Sequence, residues 1–102
     1  VSYGQFTGYA PRDLCALWPE PATSSPHPAA PVDPGKVVVV STTHDPATPY
    51  QAGVDLAREL DAALITFDGT QHTVVFNGDQ CVDTAVVNFF VDSTQPPPDL
   101  HC

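Results

Sequence analysis

Two side chains, one carboxylate and one imidazole, have the type and the position for proton-transfer chemistry. Asp45 follows the apolar run 37–40, and His72 follows a second apolar run at 62–67. An aspartate that fixes the tautomer of a histidine, with a histidine that removes a proton from a hydroxyl, makes up two members of a catalytic triad. Taken singly, Asp45 also fits a turn or a helix cap, and His72 also fits an exposed loop imidazole. Their order and their places after successive apolar runs favour the catalytic interpretation.

The two apolar runs predict parallel β-strands. The run at about 37–41 is continuous and β-branched, which is typical of a strand buried on both faces. The second strand is predicted at about 62–67 and ends before a turn signal. A helix between them implies a right-handed crossover, so the fold class is α/β with the order β-α-β-α. Ligands bind at the carboxyl ends of such strands, which lie about 5 Å apart, so the loops of Asp45 and His72 come within reach of each other.

Two amphipathic helices are predicted beside these strands. The first, at about 49–60, has Thr48 as its N-cap and Pro49 at its first position. The second, at about 80–91, has Asp79 as its N-cap. The residues predicted to face the core at helical spacing are Ala52, Leu56, Ala57 and Leu60 in the first helix and Val82, Ala85, Val86, Phe89 and Phe90 in the second.

The distribution of proline divides the chain. Its 102 residues are enough for one domain, and six of the 12 prolines fall between positions 19 and 34. We predict a head segment at 1–18 (the end of a preceding lid or catalytic region), an extended Pro-rich connector at 19–35 and a compact domain at 36–102. Two parallel strands leave a strand as apolar as 37–40 without a neighbour on one edge. The compact domain is therefore expected to be the end of a larger sheet.

The charge balance excludes several classes of partner. Twelve acidic residues oppose three basic ones, which gives a formal net charge of −9. Nucleic acids and anionic membranes require clustered Lys and Arg, whereas the bases here are scattered singly. No apolar run approaches the roughly 18 residues of a spanning helix, and the first residues lack the basic and apolar regions of a signal peptide. We expect no nucleic acid partner and no transmembrane segment, and we interpret the chain as a mature or excised piece.

Three cysteines, Cys15, Cys81 and Cys102, lack the close paired spacing of a zinc site. Cys81 opens the predicted second helix and Cys102 is the final residue, so a bridge between them is favoured over a buried free Cys81 beside a disordered end. Cys15 either pairs with a segment outside this chain or is a free thiol. The cysteines and the Pro-rich connector indicate an exported protein.

Several stretches together resemble one family. They are Val37-Val38-Val39-Val40, Asp45-Pro46-Ala47-Thr48-Pro49-Tyr50, Phe67-Asp68-Gly69-Thr70-Gln71-His72, Cys81-Val82-Asp83, Thr94-Gln95-Pro96-Pro97-Pro98 with a terminal Cys, and Cys15-Ala16-Leu17-Trp18-Pro19. Through them, 36–102 resembles the C-terminal domain of the secreted tripeptidyl-aminopeptidase-like (TAP-like) serine hydrolases, bacterial exopeptidases of the α/β-hydrolase fold. The resemblance implies the C-terminal β-α-β-α portion of that fold, with Asp45 as the triad acid and His72 as the base. Thr42 and Gln71 stand where family members usually have Gly.

The third member of such a triad, a serine within Gly-x-Ser-x-Gly, is not found in the sequence. Of the six glycines, only Gly4 and Gly8 have the required spacing, and Phe6 lies between them. Ser41 lies too close to Asp45 along the chain to receive a separate base. We therefore expect the nucleophile to lie upstream of this chain, and we expect the chain alone to be inactive.

These residues and the resemblance predict the C-terminal part of a secreted or cell-envelope serine hydrolase of bacterial origin, an exopeptidase that releases short peptides. The expected partners are the upstream segment that carries the serine and a peptide substrate. A non-catalytic secreted binding module and an esterase or lipase on the same scaffold are the alternatives. His44 and His72 have no third ligand at suitable spacing, so we expect neither a metal site nor a cofactor.

Overall fold

The computed structural model describes residues 14–102. Its main elements in chain order are the strand β1 (Val38–Thr42), the helix α1 (Tyr50–Glu59), the strand β2 (Ala63–Phe67), the helix α2 (Gln80–Asp92) and the strand β3 (Leu100–His101). Short 3-10 helices at Leu14–Leu17 and Pro34–Lys36 precede them. The predicted α/β class and β-α-β-α order are confirmed, and the sheet contains one strand more than predicted.

The strands β1 and β2 pair in parallel along their whole lengths. The register runs from Val38 opposite Ala63 to Thr42 opposite Phe67. Both strands therefore end at the same level, and the loops that follow them leave the sheet side by side. The sheet order is β1-β2-β3, so the outer edge of β1 has no partner strand within residues 14–102.

The third strand, β3, pairs in parallel with the other edge of β2. It has only two residues, too few to produce a periodic signal in the sequence. Leu100 of β3 lies opposite Ile65 of β2. The next residue but one, Cys102, is bonded through its sulfur to Cys81 near the start of α2. The structure thus contains the bridge favoured from the sequence, and Cys15 is a free, exposed thiol.

The start of α1 differs from the prediction. The helix begins at Tyr50, and Pro49 at the N-cap position makes no side-chain capping bond. Thr48 was predicted as the cap, and this prediction was wrong. Its hydroxyl instead donates to the Asp45 carboxylate at 3.0 Å. A hydroxyl beside an ionised carboxylate forms a stronger, charge-assisted bond there.

The face that α1 turns to the sheet is set by a close approach at Gly53. A Cβ at this position would overlap the Ser41 side chain of β1, so only glycine lets the helix lie this near. Ala57, one turn later, is buried at 5% exposure, whereas Leu56 is 45% exposed. The predicted core position of Leu56 was therefore wrong, because the stripe of small residues through Gly53 and Ala57 faces the strand.

The helix α2 agrees with the prediction at its start. The Asp79 side chain accepts a hydrogen bond from the backbone N–H of Val82 at 2.8 Å. Val82 and Val86 are buried, but Phe90 is 71% exposed, so its predicted place in the core was wrong. Phe90 lies about 100° around the helix from Phe89, which is enough to turn it away from the sheet.

No helix within residues 14–102 has the length and apolar character needed to cross a membrane.

The hydrophobic core lies between β2 and α2. Ile65, Val82 and Val86 are buried together with Val74, which is 3% exposed. Val74 belongs to the loop after β2 and was not predicted as a core residue. This loop is therefore anchored in the core two residues after His72.

The Pro-rich region has no helix or strand at 19–33. It is tied to the rest of the chain at two points. The backbone N–H of Ala29 donates to the Glu59 carboxylate at 2.9 Å, and the Gln95 side-chain amide donates to the Gly35 carbonyl oxygen at 2.9 Å.

The division into 1–18, 19–35 and 36–102 stays a prediction, and residues 1–13 of the head segment lie outside the described residues.

The first prediction concerns apolar surface beside β1. Six side chains form an apolar depression of about 150 Å³ there: Val38, Val40, Val75, Val86, Phe89 and Phe90. We expect the 102-residue chain to bind an environment-sensitive apolar dye, and we expect Phe90→Ser to reduce the bound fluorescence. Phe76→Ser is the matched control, because Phe76 is also exposed, at 63%, but lies outside the depression. A monomer that neither binds dye nor associates at high concentration would contradict the expectation.

The second prediction concerns the disulfide. The Cys81–Cys102 bridge closes a loop with a sequence separation of 21. Loop-closure entropy for this length is worth about 3 kcal/mol, so we expect the double variant Cys81→Ser and Cys102→Ser to lose about that much unfolding free energy in urea. Cys15→Ser is the control, since Cys15 forms no bridge. Equal stability of the double variant and the parent chain would show that the bridge does not constrain the fold.

Candidate active site at the ends of β1 and β2

The carboxylate of Asp45 is held by the chain segment between β1 and α1. Oδ1 accepts hydrogen bonds from the backbone N–H groups of Ala47 at 2.7 Å and Thr48 at 3.0 Å, and Oδ2 accepts from the Thr48 hydroxyl. The side chain is only 8% exposed. These bonds, the backbone N–H of Thr48 first among them, hold the pKa of Asp45 well below its ordinary value, although burial opposes them. The carboxylate is therefore ionised at neutral pH.

The imidazole of His72 completes the hydrogen bonding of this carboxylate. Nδ1 of His72 lies 2.9 Å from Oδ2 and 3.1 Å from Oδ1 of Asp45. Because an ionised carboxylate can only accept, Nδ1 carries the proton in this contact. The neutral ring then has its lone pair on Nε2, which has no hydrogen-bond partner within residues 14–102. A histidine in this state can take a proton from a hydroxyl while the carboxylate stabilises the resulting cation.

The loop after β2 holds His72 through the residues that follow it. Thr73 has a φ of 64°, a left-handed conformation that is rare for a β-branched residue. Its carbonyl oxygen accepts from the Asn77 side-chain amide at 3.0 Å, and the next residue, Val74, is buried in the core. The left-handed conformation of Thr73 thus turns the chain so that Val74, two residues after His72, enters the core. Sequence reasoning missed this anchor, although the apolar pair Val74-Val75, which begins two residues after the histidine, was an available signal.

A cleft of about 300 Å³ opens beside the pair, along the end of β1. Residues 40–42 contribute to its lining, as do both Asp45 and His72. The hydroxyl of Ser41 donates to the Tyr50 carbonyl oxygen at 3.2 Å. Ser41 therefore fastens β1 to the start of α1, and the free Nε2 of His72 lacks a nucleophilic hydroxyl partner in the described part of the chain.

Thr42 and Gln71 occupy the two positions where family members usually have Gly, and the structure accommodates both side chains. Thr42 is the last residue of β1 and is 3% exposed, so its side chain is packed rather than strained into a turn. The Gln71 side-chain amide donates to the Thr73 carbonyl oxygen at 3.4 Å, beside the stronger bond from Asn77. Neither position has a positive φ.

The described residues contain no set of His, Cys, Asp and Glu side chains that is free to bind a metal ion. In the described part of the chain, the one group of three ligand atoms that lie close together comprises Asp79, Cys81 and Cys102. Its two sulfurs form the disulfide and offer no thiolate. His44 turns to the Thr43 hydroxyl, which lies 3.0 Å from its Nδ1.

The parallel sheet with two helices, which has Asp45 and His72 together at the carboxyl ends of its first two strands, has the architecture of the C-terminal portion of an α/β-hydrolase. The comparison with known families gives the same class and a narrower assignment. The TAP-like protein family matches residues 1–102, and the chain belongs to this family.

Two groups of relatives match the whole chain. It is 76% identical over 102 residues to a protein named carboxylesterase B from Mycobacterium tuberculosis, and 59% identical over 104 residues to proteins named serine protease Hip1 from Mycobacterium tuberculosis and Mycobacterium bovis. The chain spans about a fifth of the length of each of these relatives, 20% in every case.

The third prediction follows from the hydrogen bonding of Asp45. Its folded-state pKa lies below the unfolded value of about 4, so the ionised carboxylate stabilises the fold above about pH 4, and this contribution is lost as the pH falls further. We expect Asp45→Asn to be less stable than the parent chain at pH 7, with a difference that narrows as the pH falls below about 4. Urea unfolding at several pH values measures this difference.

Glu20→Gln provides the matched control for this measurement. Glu20 is exposed in the connector, and its carboxylate makes no hydrogen bond to other residues of 14–102. A stability difference for Asp45→Asn that is independent of pH would show that the charge of the carboxylate is not what holds the loop.

Proposed function

We propose that this chain supplies the acid and the base of a serine hydrolase whose nucleophile lies in a preceding segment of the same polypeptide. One observation carries the proposal: the 2.9 Å contact between Asp45 and Nδ1 of His72, with Nε2 unbonded beside a cleft. A hydrogen-bonded acid and base with one free ring nitrogen is an incomplete triad that lacks only the attacking hydroxyl. The length of the relatives, of which this chain spans 20%, leaves ample room for that segment.

The reaction we propose is acyl transfer in two steps. The serine hydroxyl attacks the carbonyl carbon of the substrate while Nε2 of His72 accepts its proton. The resulting imidazolium is stabilised by Asp45 and returns the proton to the leaving group, which departs and leaves an acyl-enzyme. Water then attacks the acyl group with the same proton transfers, which releases the acid and regenerates the serine.

The substrate we propose is a peptide with a free N-terminus, from which the enzyme releases a short peptide. Support comes from the resemblance to the tripeptidyl-aminopeptidase-like hydrolases and from the relatives named serine protease at 59% identity. The formal charge of −9 also favours the approach of a positively charged terminal amine. Export to the cell surface or medium is part of the proposal, and the disulfide between Cys81 and Cys102 supports it.

Ester hydrolysis is the second candidate. The relative named carboxylesterase B is 76% identical to this chain, and an ester reacts through the same acyl-enzyme. The choice between the two substrates depends on a binding pocket that lies mainly in the rest of such an enzyme. A non-catalytic binding module is the third possibility, and it predicts no Gly-x-Ser-x-Gly in the preceding segment.

The fourth prediction tests the proposed acid and base in the full-length protein. We expect Asp45→Asn to lower kcat by about 10⁴-fold, because it removes the orienting charge. We expect His72→Ala to lower kcat by at least as much, because it removes the base. His27→Ala is the matched control, since His27 lies in the exposed connector and bonds only to the Ser25 carbonyl oxygen. Normal turnover in either site variant would end the assignment.

The same assay separates the substrate classes. It compares a tripeptide anilide with a free N-terminus, the same anilide with an acetylated N-terminus, and a short-chain nitrophenyl ester. Faster cleavage of the free anilide than of the acetylated one supports the exopeptidase. Cleavage of the ester alone supports the esterase, and equal cleavage of both anilides contradicts release from a free N-terminus.

A further inference from the structure

We propose that Thr43 is a positioning residue whose hydroxyl fastens the loop that carries Asp45 to the loop that carries His72. The inference rests on the proposed function, since it concerns how the acid and the base are brought together. Thr43 directly follows β1 and lies two residues before Asp45. Its partners, Asp68 and Gly69, directly follow β2 and lie shortly before His72.

Two backbone hydrogen bonds continue the pairing of the strands into these loops. The N–H of Thr43 donates to the Phe67 carbonyl oxygen at 2.9 Å, and the N–H of His44 donates to the Gly69 carbonyl oxygen at 3.0 Å. The loops are thus still in register beyond the last strand residues. Backbone bonds of this kind do not depend on the side chain at position 43, so any specific role of Thr43 lies in its hydroxyl.

The hydroxyl of Thr43 forms three further hydrogen bonds. It donates to Oδ1 of Asp68 at 2.8 Å, and it accepts from the backbone N–H of Gly69 at 3.2 Å. It also lies 3.0 Å from Nδ1 of His44. A hydroxyl has one proton and two lone pairs, so all three bonds form together when Nδ1 of His44 carries the proton. The Gly69 carbonyl oxygen, at 3.4 Å, is the weaker competing acceptor.

Gly69 is the point at which this network acts on the His72 loop. A Cβ at Gly69 would overlap the Phe67 ring, so the backbone there lies directly against the aromatic side chain. The Phe67 ring and the Thr43 hydroxyl therefore both restrain this peptide. His72 lies three residues after Gly69, and its side chain is half exposed. Its ring contacts the carboxylate of Asp45, which lies 27 positions earlier in the sequence. A small change in the direction of the loop at Gly69 is enough to move the imidazole out of hydrogen-bond range.

Removal of the hydroxyl is expected to loosen this restraint without breaking the strand pairing. Thr43→Val keeps the shape and the β-branching of the side chain but can neither donate nor accept. Thr43→Ser keeps the hydroxyl and loses only a methyl group. Thr70→Val is the matched control, because Thr70 is an exposed threonine of the same loop whose hydroxyl makes no bond to other residues of 14–102.

The fifth prediction combines kinetics and nuclear magnetic resonance on the full-length protein. We expect Thr43→Val to lower kcat by about tenfold with KM changed less than about twofold, since misplaced catalytic groups slow the chemical step rather than binding. Ring-nitrogen chemical shifts of labelled histidine report the tautomer. We expect His72 to change from protonation at Nδ1 towards protonation at Nε2 in Thr43→Val. Thr43→Ser and Thr70→Val are expected to match the parent in both measurements.

The outcomes separate this inference from the proposed function. Thr43→Val with normal kcat and an unchanged His72 tautomer overturns the positioning role. Lower kcat that Thr43→Ser shares, without any change in tautomer, also overturns it, because the effect then comes from packing. If Asp45→Asn and His72→Ala both retain turnover while Thr43→Val still shifts the tautomer, the proposed function fails and the role of Thr43 in holding the pair stands.

Discussion

The parallel pairing of β1 with β2 is the constraint on which the site depends. Its register places Thr42 opposite Phe67, so both strands end at one level. Two loops that leave adjacent strands at one level start only about 5 Å apart, and each then needs few residues to bring a side chain to the other. Asp45 lies three residues after the end of β1, and His72 lies five residues after the end of β2. Although 27 positions separate them in sequence, these short segments allow a 2.9 Å contact between their side chains. A shift of one residue in register would turn Ile65 away from Val82 and Val86 to the opposite face of the sheet, so the packing of this core fixes the register that the site requires.

The side chain of Thr48 bonds to the carboxylate of Asp45 and does not cap the start of α1. A helix usually satisfies its first N–H groups through an N-cap side chain, and Thr48 has the chemistry for that role. Here Thr48 gives both its N–H and its hydroxyl to Asp45, and α1 begins at Tyr50 without a side-chain cap. The helix loses a cap worth about 1 kcal/mol, and the carboxylate gains fixed donors that keep it ionised and oriented towards His72. Pro49 makes this exchange possible, since it has no N–H of its own to satisfy.

The sequence predicts the framework of this structure better than its contacts. The continuous β-branched run, the proline at the start of α1 and the Asp79 cap are local signals, and each corresponds to an element or a cap in the structure. The pairing of Asp45 with His72 follows from the strand order, because parallel strand ends must meet. The exposure of Leu56 could not be predicted, since it depends on packing between elements distant in sequence, and the burial of Val74 was indicated only by the apolar pair Val74-Val75. The strand β3 was missed for a different reason: two residues have no measurable period, and their pairing with β2 joins parts of the chain that are distant in sequence.

Asp45 and His72 are held by contacts within the chain, and the outer edge of β1 has no partner strand within residues 14–102. Asp45 takes its donors from residues 47 and 48, and His72 is anchored by Val74 and the Asn77 amide. None of these contacts involves the unpaired edge of β1. Under the proposed function, the serine of a preceding segment would meet Nε2 of His72 at the cleft beside the pair. The pair would already be oriented when that serine arrived. Preorganisation of this kind lowers the cost of aligning the base with its nucleophile, because only one of the three groups has still to be placed.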